Sequence, residues 1–255
     1  MTLQASWGWL WIAWDEKTWL IQRIIEAVGL DDGMVKGKFT PSDHRPLGKD
    51  AGGKPPIGMF IYSSVVGVLL YLSFHTCPYI SFTVNCCKWY MFRPKIYHEL
   101  TLKRSAWYLK HNQDRCLLLD PNSDIFEVNT YPGCDFAGMY RRENPYDPAC
   151  TNSWTGFIIT FSDCPVLWIS KLQTEPALSK MEAETIDLAR FCQELFPIIY
   201  ITLFLGKSVG LPVRGTSMKF SVHNDNDGAL ILARTLPPKF TPRSKYYATK
   251  TVWFR

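Results

Sequence analysis

The eight cysteines and five histidines are the side chains in this sequence best able to bind a transition metal. No two cysteines form a Cys-x-x-Cys pair, and the histidines do not cluster near them. A structural zinc site needs four such ligands at close spacing, so this pattern disfavours zinc. We therefore expect free thiols in a reducing compartment, and with them an intracellular location in the cytoplasm or the nucleus.

One predicted helix carries cations that could contact a phosphate backbone. Leu102, Ala106 and Leu109 form an apolar stripe within the stretch His98–Lys110, and three cations stand off that stripe, namely Lys103, Arg104 and Lys110. Two aromatic residues lie between these cations, and single-stranded nucleic acids bind to surfaces that combine basic and aromatic side chains. A net charge of +5 suits a polyanionic partner. A solvated helix face explains the same pattern.

Composition and hydropathy limit the class of protein. The chain has 255 residues, of which 47% are hydrophobic and 20% charged, which excludes a disordered chain. The stretch Phe60–Pro78 has no Asp, Glu, Lys or Arg and is long enough to span a bilayer. Its serines, its proline and the lack of a close basic flank favour a buried helix instead. Neither a secretory signal nor a membrane partner is predicted.

The elements that must position these residues fall into three regions. Region 1–19 is rich in tryptophan, and the alternation Trp7, Trp9, Trp11 indicates a strand face, unless the segment was joined by a rearrangement. Region 20–112 is mainly helical, with a loop over Asp31–Gly58. Its predicted helices cover Leu20–Leu30, Tyr62–Phe74, Pro78–Phe92 and His98–Lys110.

Region 113–255 mixes strands with helices. The pattern predicts strands over Cys116–Leu119, Ile125–Phe136, Thr155–Phe161, Val166–Ser170 and Lys219–Asn224. It predicts helices over Ala177–Leu195, Gly228–Arg234 and Ser244–Arg255, and a polar loop over Asn144–Asn152. Three meandering strands followed by α/β units indicate an α/β fold, a mixed sheet with helices on its faces. The ribonuclease H fold uses this order.

Several motifs resemble one family in order and spacing. Tyr62–Leu72 resembles the segment Y-x-S-x-x-G-x-L-L-Y-L of copia-type retrotransposon polyproteins, and His98–Lys110 resembles their H-x-x-A-x-K-R-x-x-x-Y-L-K helix. Further matches follow over Tyr131–Gly138, Ser153–Phe157, Ser170–Glu184, Asp225–Ala229 and Thr241–Lys245. The chain is thus identified as a member of the Pol family of LTR retrotransposons. The resemblance implies C-terminal helices of a reverse transcriptase over 20–112 and a ribonuclease H-like domain over 113–255, truncated before its last strand and helix. The polymerase aspartates of the family lie upstream of the matched region.

The resemblance also implies a chemistry, the Mg²⁺-dependent hydrolysis of RNA in RNA–DNA hybrids by two metal ions. The family holds these ions with four carboxylates. The first position is Gly133 here, and Asp135 lies two residues on, about 6.6 Å further along the strand. The second and third are Glu182 and Asp225, the implied metal ligands. The fourth falls beyond Arg255.

Each implied ligand has an ordinary structural alternative. Glu182 could be a solvated helix residue beside an apolar stripe, and Asp225 could cap the following helix. Pro132, next to Gly133, suits a central strand badly.

With two of four carboxylates absent, we expect a degenerate ribonuclease H-like protein without two-metal catalysis. The alternative from another class is a non-catalytic module that binds an RNA–DNA hybrid or a single strand. A membrane-associated protein and a chain that does not fold stably are further alternatives. A partnership with an intact element's polyprotein is also compatible with the resemblance.

Overall fold

Two compact units, residues 1–117 and 118–255, make up the chain in the computed structural model. The structure describes residues 7–30, 38–43, 47–115, 117, 119, 126–140, 148–210 and 218–235. The predicted helix over Ser244–Arg255 lies outside the described residues, as do parts of the predicted loops over Asp31–Gly58 and Asn144–Asn152.

The first unit is helical in its described part. Its α-helices are α1 (Trp7–Ala27), α2 (Tyr62–His75), α3 (Ser81–Lys88) and α4 (Ile96–His111). They enclose a core built from aliphatic side chains such as Ile21, Ile24, Val66, Leu69 and Leu102, each at most 2% exposed. The helices predicted in this region are confirmed in type, although a 3₁₀ turn over Pro78–Ile80 precedes α3.

The start of the chain corrects the sequence prediction. Trp7, Trp9 and Trp11 lie in α1, so the predicted strand face is wrong. The alternation covers only three residues, whereas the helix has 21 residues and includes an amphipathic stretch. The longer element determines the conformation of the three tryptophans. Gly29 ends this helix with φ +67°, a conformation that glycine adopts without cost. The predicted strand over Cys116–Leu119 is also absent at its described residues, Leu117 and Leu119.

Two buried side chains of α4 hold the preceding loop. His98 is fully buried, and its Nε2 lies 2.7 Å from the carbonyl oxygen of Gly48. The carboxylate of Glu99, 1% exposed, accepts hydrogen bonds from the backbone amides of Ile57 at 2.7 Å and Gly58 at 3.0 Å. These contacts supply partners to backbone groups of a loop that has no regular secondary structure of its own.

The second unit is α/β with a mixed four-stranded sheet. Strands β1 (Phe126–Asp135), β2 (Trp154–Phe161) and β3 (Cys164–Leu172) form an antiparallel meander, and β4 (Met218–Val222) pairs parallel to β1. The strand order is β3-β2-β1-β4. Helices α5 (Lys180–Ser208) and α6 (Asp227–Arg234) and a 3₁₀ turn over Pro148–Thr151 complete the described elements. The architecture confirms the α/β prediction and is compatible with a ribonuclease H-like fold.

The core of this unit lies between the sheet and α5. Phe157 of β2 packs edge-on against Phe191 of α5, with ring centroids 5.5 Å apart. Val128, Ile159 and Leu188 are buried around them. The inward face of the sheet is therefore set by alternate residues of each strand.

Pro132 lies inside β1 without disrupting the sheet. The pairing of β1 with β4 ends at Thr130 and Val222, two residues before the proline. The carbonyl of Thr130 accepts from the amide of His223, and residues two apart present their polar groups to the same side. The missing amide of Pro132 thus faces the β4 side beyond the last β4 pair. The expected conflict does not arise, because no ladder hydrogen bond is required there.

A two-residue turn joins β2 to β3. Ser162 and Asp163 both have positive φ, at 46° and 67°. This is the geometry of a hairpin turn that favours Asn-Gly, because its twist matches that of the strands.

We expect Asp163→Gly to raise the free energy of unfolding by about 1 kcal/mol, since glycine adopts positive φ without steric cost. Urea denaturation of the wild type and the variant measures the change. Asp163→Ala is the matched comparison, and we expect it to be no more stable than the wild type. Equal gains from both substitutions would contradict the conformational explanation.

Helix α5 is longer than predicted. It begins at Lys180 rather than Ala177, and it continues through Pro197 to Ser208. By length and composition it is apolar enough to cross a membrane. Its first half packs on the sheet and buries Glu182, Glu184 and Asp187. Helix α2, in the stretch with the strongest apolar run of the sequence, has 14 residues and lies largely in the core of its own unit.

Candidate functional site

The candidate site lies at the end of β1, where the first metal carboxylate was expected. Gly133 pairs with Gly156 of β2, and a Cβ added at Gly133 would meet nothing within 4 Å. The position therefore has room for a side chain but supplies no ligand atom. The next residue, Cys134, lies close enough to the Glu184 carboxylate of α5 for the two groups to interact electrostatically.

Glu182 has a structural role at the start of α5. Its Oε2 accepts a hydrogen bond from the amide of Leu178 at 2.9 Å, while its own amide donates to Ser179 Oγ at 3.1 Å. The Ser179 hydroxyl and the Glu182 carboxylate thus each satisfy a backbone amide at the start of the helix, and Glu182 is 2% exposed. The carboxylate is thus already occupied in satisfying the helix end.

Glu184, two residues on, turns toward the sheet instead. It is 1% exposed, and Asn224 Nδ2 donates to its Oε2 at 3.4 Å. Asn224 follows β4, so this contact and that of Cys134 bring the ends of β1 and β4 to the same helix turn. Burial and the neighbouring Glu184 raise the pKa of the Cys134 thiol, which keeps it protonated.

Asp187 lies one turn further along α5 and is fully buried. Neither of its oxygens has a hydrogen-bond partner among the residues that the structure describes. Burial raises the pKa of Asp187 to about 8, and the nearby Glu184 adds to the rise. The Thr155 hydroxyl and the Gly133 amide oppose it, without completing hydrogen bonds of ordinary geometry. Asp187 is therefore largely protonated at neutral pH.

A buried amide connects this cluster to β3. Gln173 Nε2 donates to Thr155 Oγ1 and to the carbonyl oxygen of Ala183, each at 3.0 Å. Thr155 is paired with Cys134 across β1 and β2. The polar cluster is thus defined by Cys134, Thr155, Gln173, Glu184, Asp187 and Asn224, and it draws on two strands, one helix and two strand ends.

Asp135 does not substitute for the missing ligand at position 133. The residue is exposed at the end of β1, and its carboxylate lies over Gly138, where an added Cβ would overlap it. In this turn Ala137 has φ +48°, and its amide donates to Ser153 Oγ at 3.2 Å. The carboxylate of Asp135 is therefore directed along the turn.

Asp225 is exposed in the bend between β4 and α6. The capping role belongs to its neighbour Asn226, whose Oδ1 accepts from the amide of Ala229 at 3.0 Å. Asp225 therefore keeps a solvent-facing carboxylate close in sequence to Asn224.

The predicted basic surface of α4 is partly committed to internal contacts. Arg104 donates to Thr40 Oγ1 at 2.9 Å and lies 4.0 Å from Asp43 Oδ1. Lys110 donates to the carbonyl oxygen of Leu30. Lys103 lies over the Trp107 ring, 5.9 Å from its centroid. Two of the three cations thus connect α4 to other segments of its own unit, and nucleic-acid binding by this set stays a prediction.

Known proteins resemble the chain over most of its length. It is 31% identical over 187 residues, 73% of the chain, to the retrovirus-related Pol polyprotein from transposon RE2 of Arabidopsis thaliana. It is 28% identical over 250 residues, 94% of the chain, to the corresponding polyprotein from transposon TNT 1-94 of Nicotiana tabacum. The polyprotein from transposon RE1 of A. thaliana is 30% identical over 187 residues. The chain belongs to the retrovirus-related Pol polyproteins of copia-type retrotransposons.

This Pol region spans 12% to 17% of the length of those relatives. No family model and no solved structure matches it. The family predicted from the motifs is therefore confirmed, whereas the assignment of each unit to a named domain stays a prediction.

The residues of this Pol region do not fit a two-magnesium site. Two such ions at close range need a cluster of carboxylates to offset their repulsion. Across the described residues, no three side chains of His, Cys, Asp or Glu are placed to hold a metal ion. Position 133 has no carboxylate, Glu182 caps α5, and Asp135 and Asp225 are exposed in separate turns.

Sequence reasoning missed Glu184 and Asp187. A signal was present, because Glu184, Leu188, Phe191 and Leu195 follow the 4, 3, 4 spacing of one helix face. Extending the buried stripe back by one step includes Glu184, and Asp187 lies three residues further on the same side. Carboxylates on the buried face of a helix are uncommon without a partner or a function.

Proposed function

We propose that the unit at residues 118–255 of this Pol region is a ribonuclease H-like domain that does not perform Mg²⁺-dependent hydrolysis of RNA–DNA hybrids. One observation supports the proposal above the others. At Gly133 the strand that should carry a metal ligand has only a backbone, and Asp187, a buried carboxyl close to Gly133, has a pKa raised to about 8. A protonated carboxyl is a poor ligand for Mg²⁺, which prefers anionic oxygen.

The test is cleavage of an end-labelled RNA–DNA hybrid by the folded chain, in magnesium and then in manganese. We expect no cleavage in either metal. Cleavage by the wild type that Glu184→Gln abolishes would contradict the proposal and would assign the ligand role to Glu184. The parallel variant Glu182→Gln is the control for a purely structural effect, because its main expected effect is loss of helix stability.

Gly133→Asp extends this experiment. A Cβ added at Gly133 meets nothing within 4 Å, so the substitution adds a carboxylate without a clash at its point of attachment. A gain of cleavage in this variant alone would place the loss of activity at position 133. No gain would show that a carboxylate at position 133 is not sufficient for catalysis.

The second candidate function is nucleic-acid binding without cleavage. The observation that favours it is the exposure of two aromatic and two basic side chains in the first unit, far in sequence from the ribonuclease H-like motifs. They are Trp89, Phe92, Lys88 and Arg93.

A further inference from the structure

A short segment after α3 exposes large aromatic side chains. Trp89 is 55% exposed and Phe92 is fully exposed, and Phe82, two helical turns before Trp89, is 46% exposed. Lys88 and Arg93 flank the two later rings and are exposed as well. We name these five residues the α3 surface.

Other side chains of the same segment make its hydrophobic contacts with the rest of the first unit. Tyr90 stacks on the buried His98 ring, with centroids 4.3 Å apart and planes inclined by 7°. Met91 packs against the core of the first unit. Trp89 and Phe92 therefore lie on the opposite side of a turn whose hydrophobic positions are already filled. Clustered exposed aromatic side chains commonly mark a binding site.

The stretch of sequence that contains the α3 surface, between Asp50 and Glu99, carries only positive charge. Residues 51–98 contain no Asp or Glu, whereas they contain the cations Lys54, Lys88, Arg93 and Lys95. The first acidic residue that follows is Glu99, whose carboxylate is 1% exposed and bonded to two backbone amides. The carbonyl of Lys54 accepts from the amide of Ile96 at 3.1 Å, so the backbone of the loop at Lys54 lies beside the segment that follows Arg93. This surface complements a polyanion.

We propose that the α3 surface binds single-stranded nucleic acid by stacking bases on Trp89 and Phe92 while Lys88 and Arg93 contact the phosphates. A duplex hides the faces of its bases, whereas a single strand offers them to aromatic rings. Phe82 and Trp89 are seven residues apart, an advance of about 10.5 Å along a helix, which gives the strand more than one contact. The inference deepens the nucleic-acid-binding candidate and rests on it, but it does not depend on the ribonuclease H-like unit.

The test is fluorescence anisotropy of a labelled single-stranded oligonucleotide, RNA and DNA in turn, titrated with the full chain. We expect the double variant Trp89→Ala with Phe92→Ala to bind more weakly by about fivefold to a hundredfold per lost stacking contact. Trp19→Ala is the matched control, since Trp19 is 57% exposed in the same unit and also has a cation over its ring, Arg23 at 4.8 Å. We expect this control to bind like the wild type.

A salt titration separates phosphate contacts from stacking. Removing Lys88 and Arg93 together is expected to flatten the dependence of affinity on salt, whereas the aromatic variant keeps the wild-type slope. The substituted side chains are exposed, and circular dichroism verifies that each variant is folded.

Three outcomes would overturn the proposal. They are equal loss in the Trp19 control, tighter binding to the matched duplex than to the single strand, and aromatic-dependent binding to anionic phospholipid vesicles without binding to oligonucleotides. Cleavage of a hybrid by the chain would contradict the proposed function alone, because that assay does not report on the α3 surface.

Discussion

Replacing Asp187 with alanine is expected to raise the free energy of unfolding of the unit at residues 118–255 at pH 8. Asp187 is fully buried, and its pKa rises from 3.8 to about 8 because burial penalises its charged form. On folding, the Asp187 carboxyl must either bind a proton or be buried as a charged group, and both lower the free energy of unfolding. Alanine at this position has no such cost. The pKa rise sets an upper limit of roughly 5 kcal/mol at pH 8, and the small cavity left by alanine subtracts about 1 kcal/mol.

The same shift fixes the pH dependence. Between about pH 4 and pH 8 the folded unit holds a proton on Asp187 that the unfolded chain has lost. Stability therefore falls as the pH rises through this window, and the loss is complete above the folded pKa. The titratable groups near Asp187 are Glu184 on its own helix and Cys134 on β1. The Cys134 pKa is raised beyond this window.

Urea denaturation of the wild type and Asp187→Ala at pH 5, 6, 7 and 8 measures the effect. We expect the difference in unfolding free energy to be small at pH 5 and to grow toward pH 8. Asp225→Ala is the matched control, since Asp225 is exposed and its loss should not change stability by a comparable amount. A pH-independent difference for Asp187→Ala would show that Asp187 is ionised in the folded chain.

Glu99→Ala is expected to destabilise the first unit by about 3 kcal/mol. The Glu99 carboxylate accepts two backbone hydrogen bonds, from Ile57 at 2.7 Å and Gly58 at 3.0 Å, and is 1% exposed. Hydrogen bonds to a charged group stabilise by about 1.5–3 kcal/mol each, and their loss leaves two amides without that acceptor. Exposure of the loop to solvent offsets part of the loss.

Amide hydrogen exchange of the segment 54–60 gives the local readout. We expect the Ile57 and Gly58 amides to exchange faster in Glu99→Ala, and the whole unit to unfold at lower urea. Glu99→Gln keeps one carbonyl acceptor and is expected to lose about half as much stability. Unchanged protection of both amides in the alanine variant would mean that the backbone of the loop, rather than Glu99, fixes its position.

Local patterns predicted most elements of the fold. Strands β1, β2 and β3 follow from alternating residues, α2 follows from a long apolar run, and α4 follows from an apolar stripe at helical spacing. Trp7, Trp9 and Trp11 were assigned to a strand because three residues at period two match a strand locally. Their helical state depends on continuation into Leu20–Ala27, which a short window does not include.

The candidate site was less predictable than the fold. Motif matching placed the helix carboxylate on Glu182, but in the structure that carboxylate accepts from the amide of Leu178 at the start of α5, while the Glu182 amide donates to Ser179 Oγ. Glu184 contacts Cys134 and Asn224, which come from strands far apart in sequence. Which of two nearby carboxylates faces a sheet depends on the rotation of the helix, and packing of the whole helix face sets that rotation.

The sequence by itself determined the family, the α/β class and the absence of a carboxylate at position 133, because each of these depends only on the identity and order of the residues. Only the tertiary structure decided that Pro132 causes no loss of pairing, that Arg104 and Lys110 serve internal contacts, and that Asp187 is a buried, protonated acid. The physical reason is that pairing, hydrogen bonding and burial depend on which distant segments meet. A residue's charge and reactivity are therefore fixed by neighbours that its own stretch of sequence does not contain.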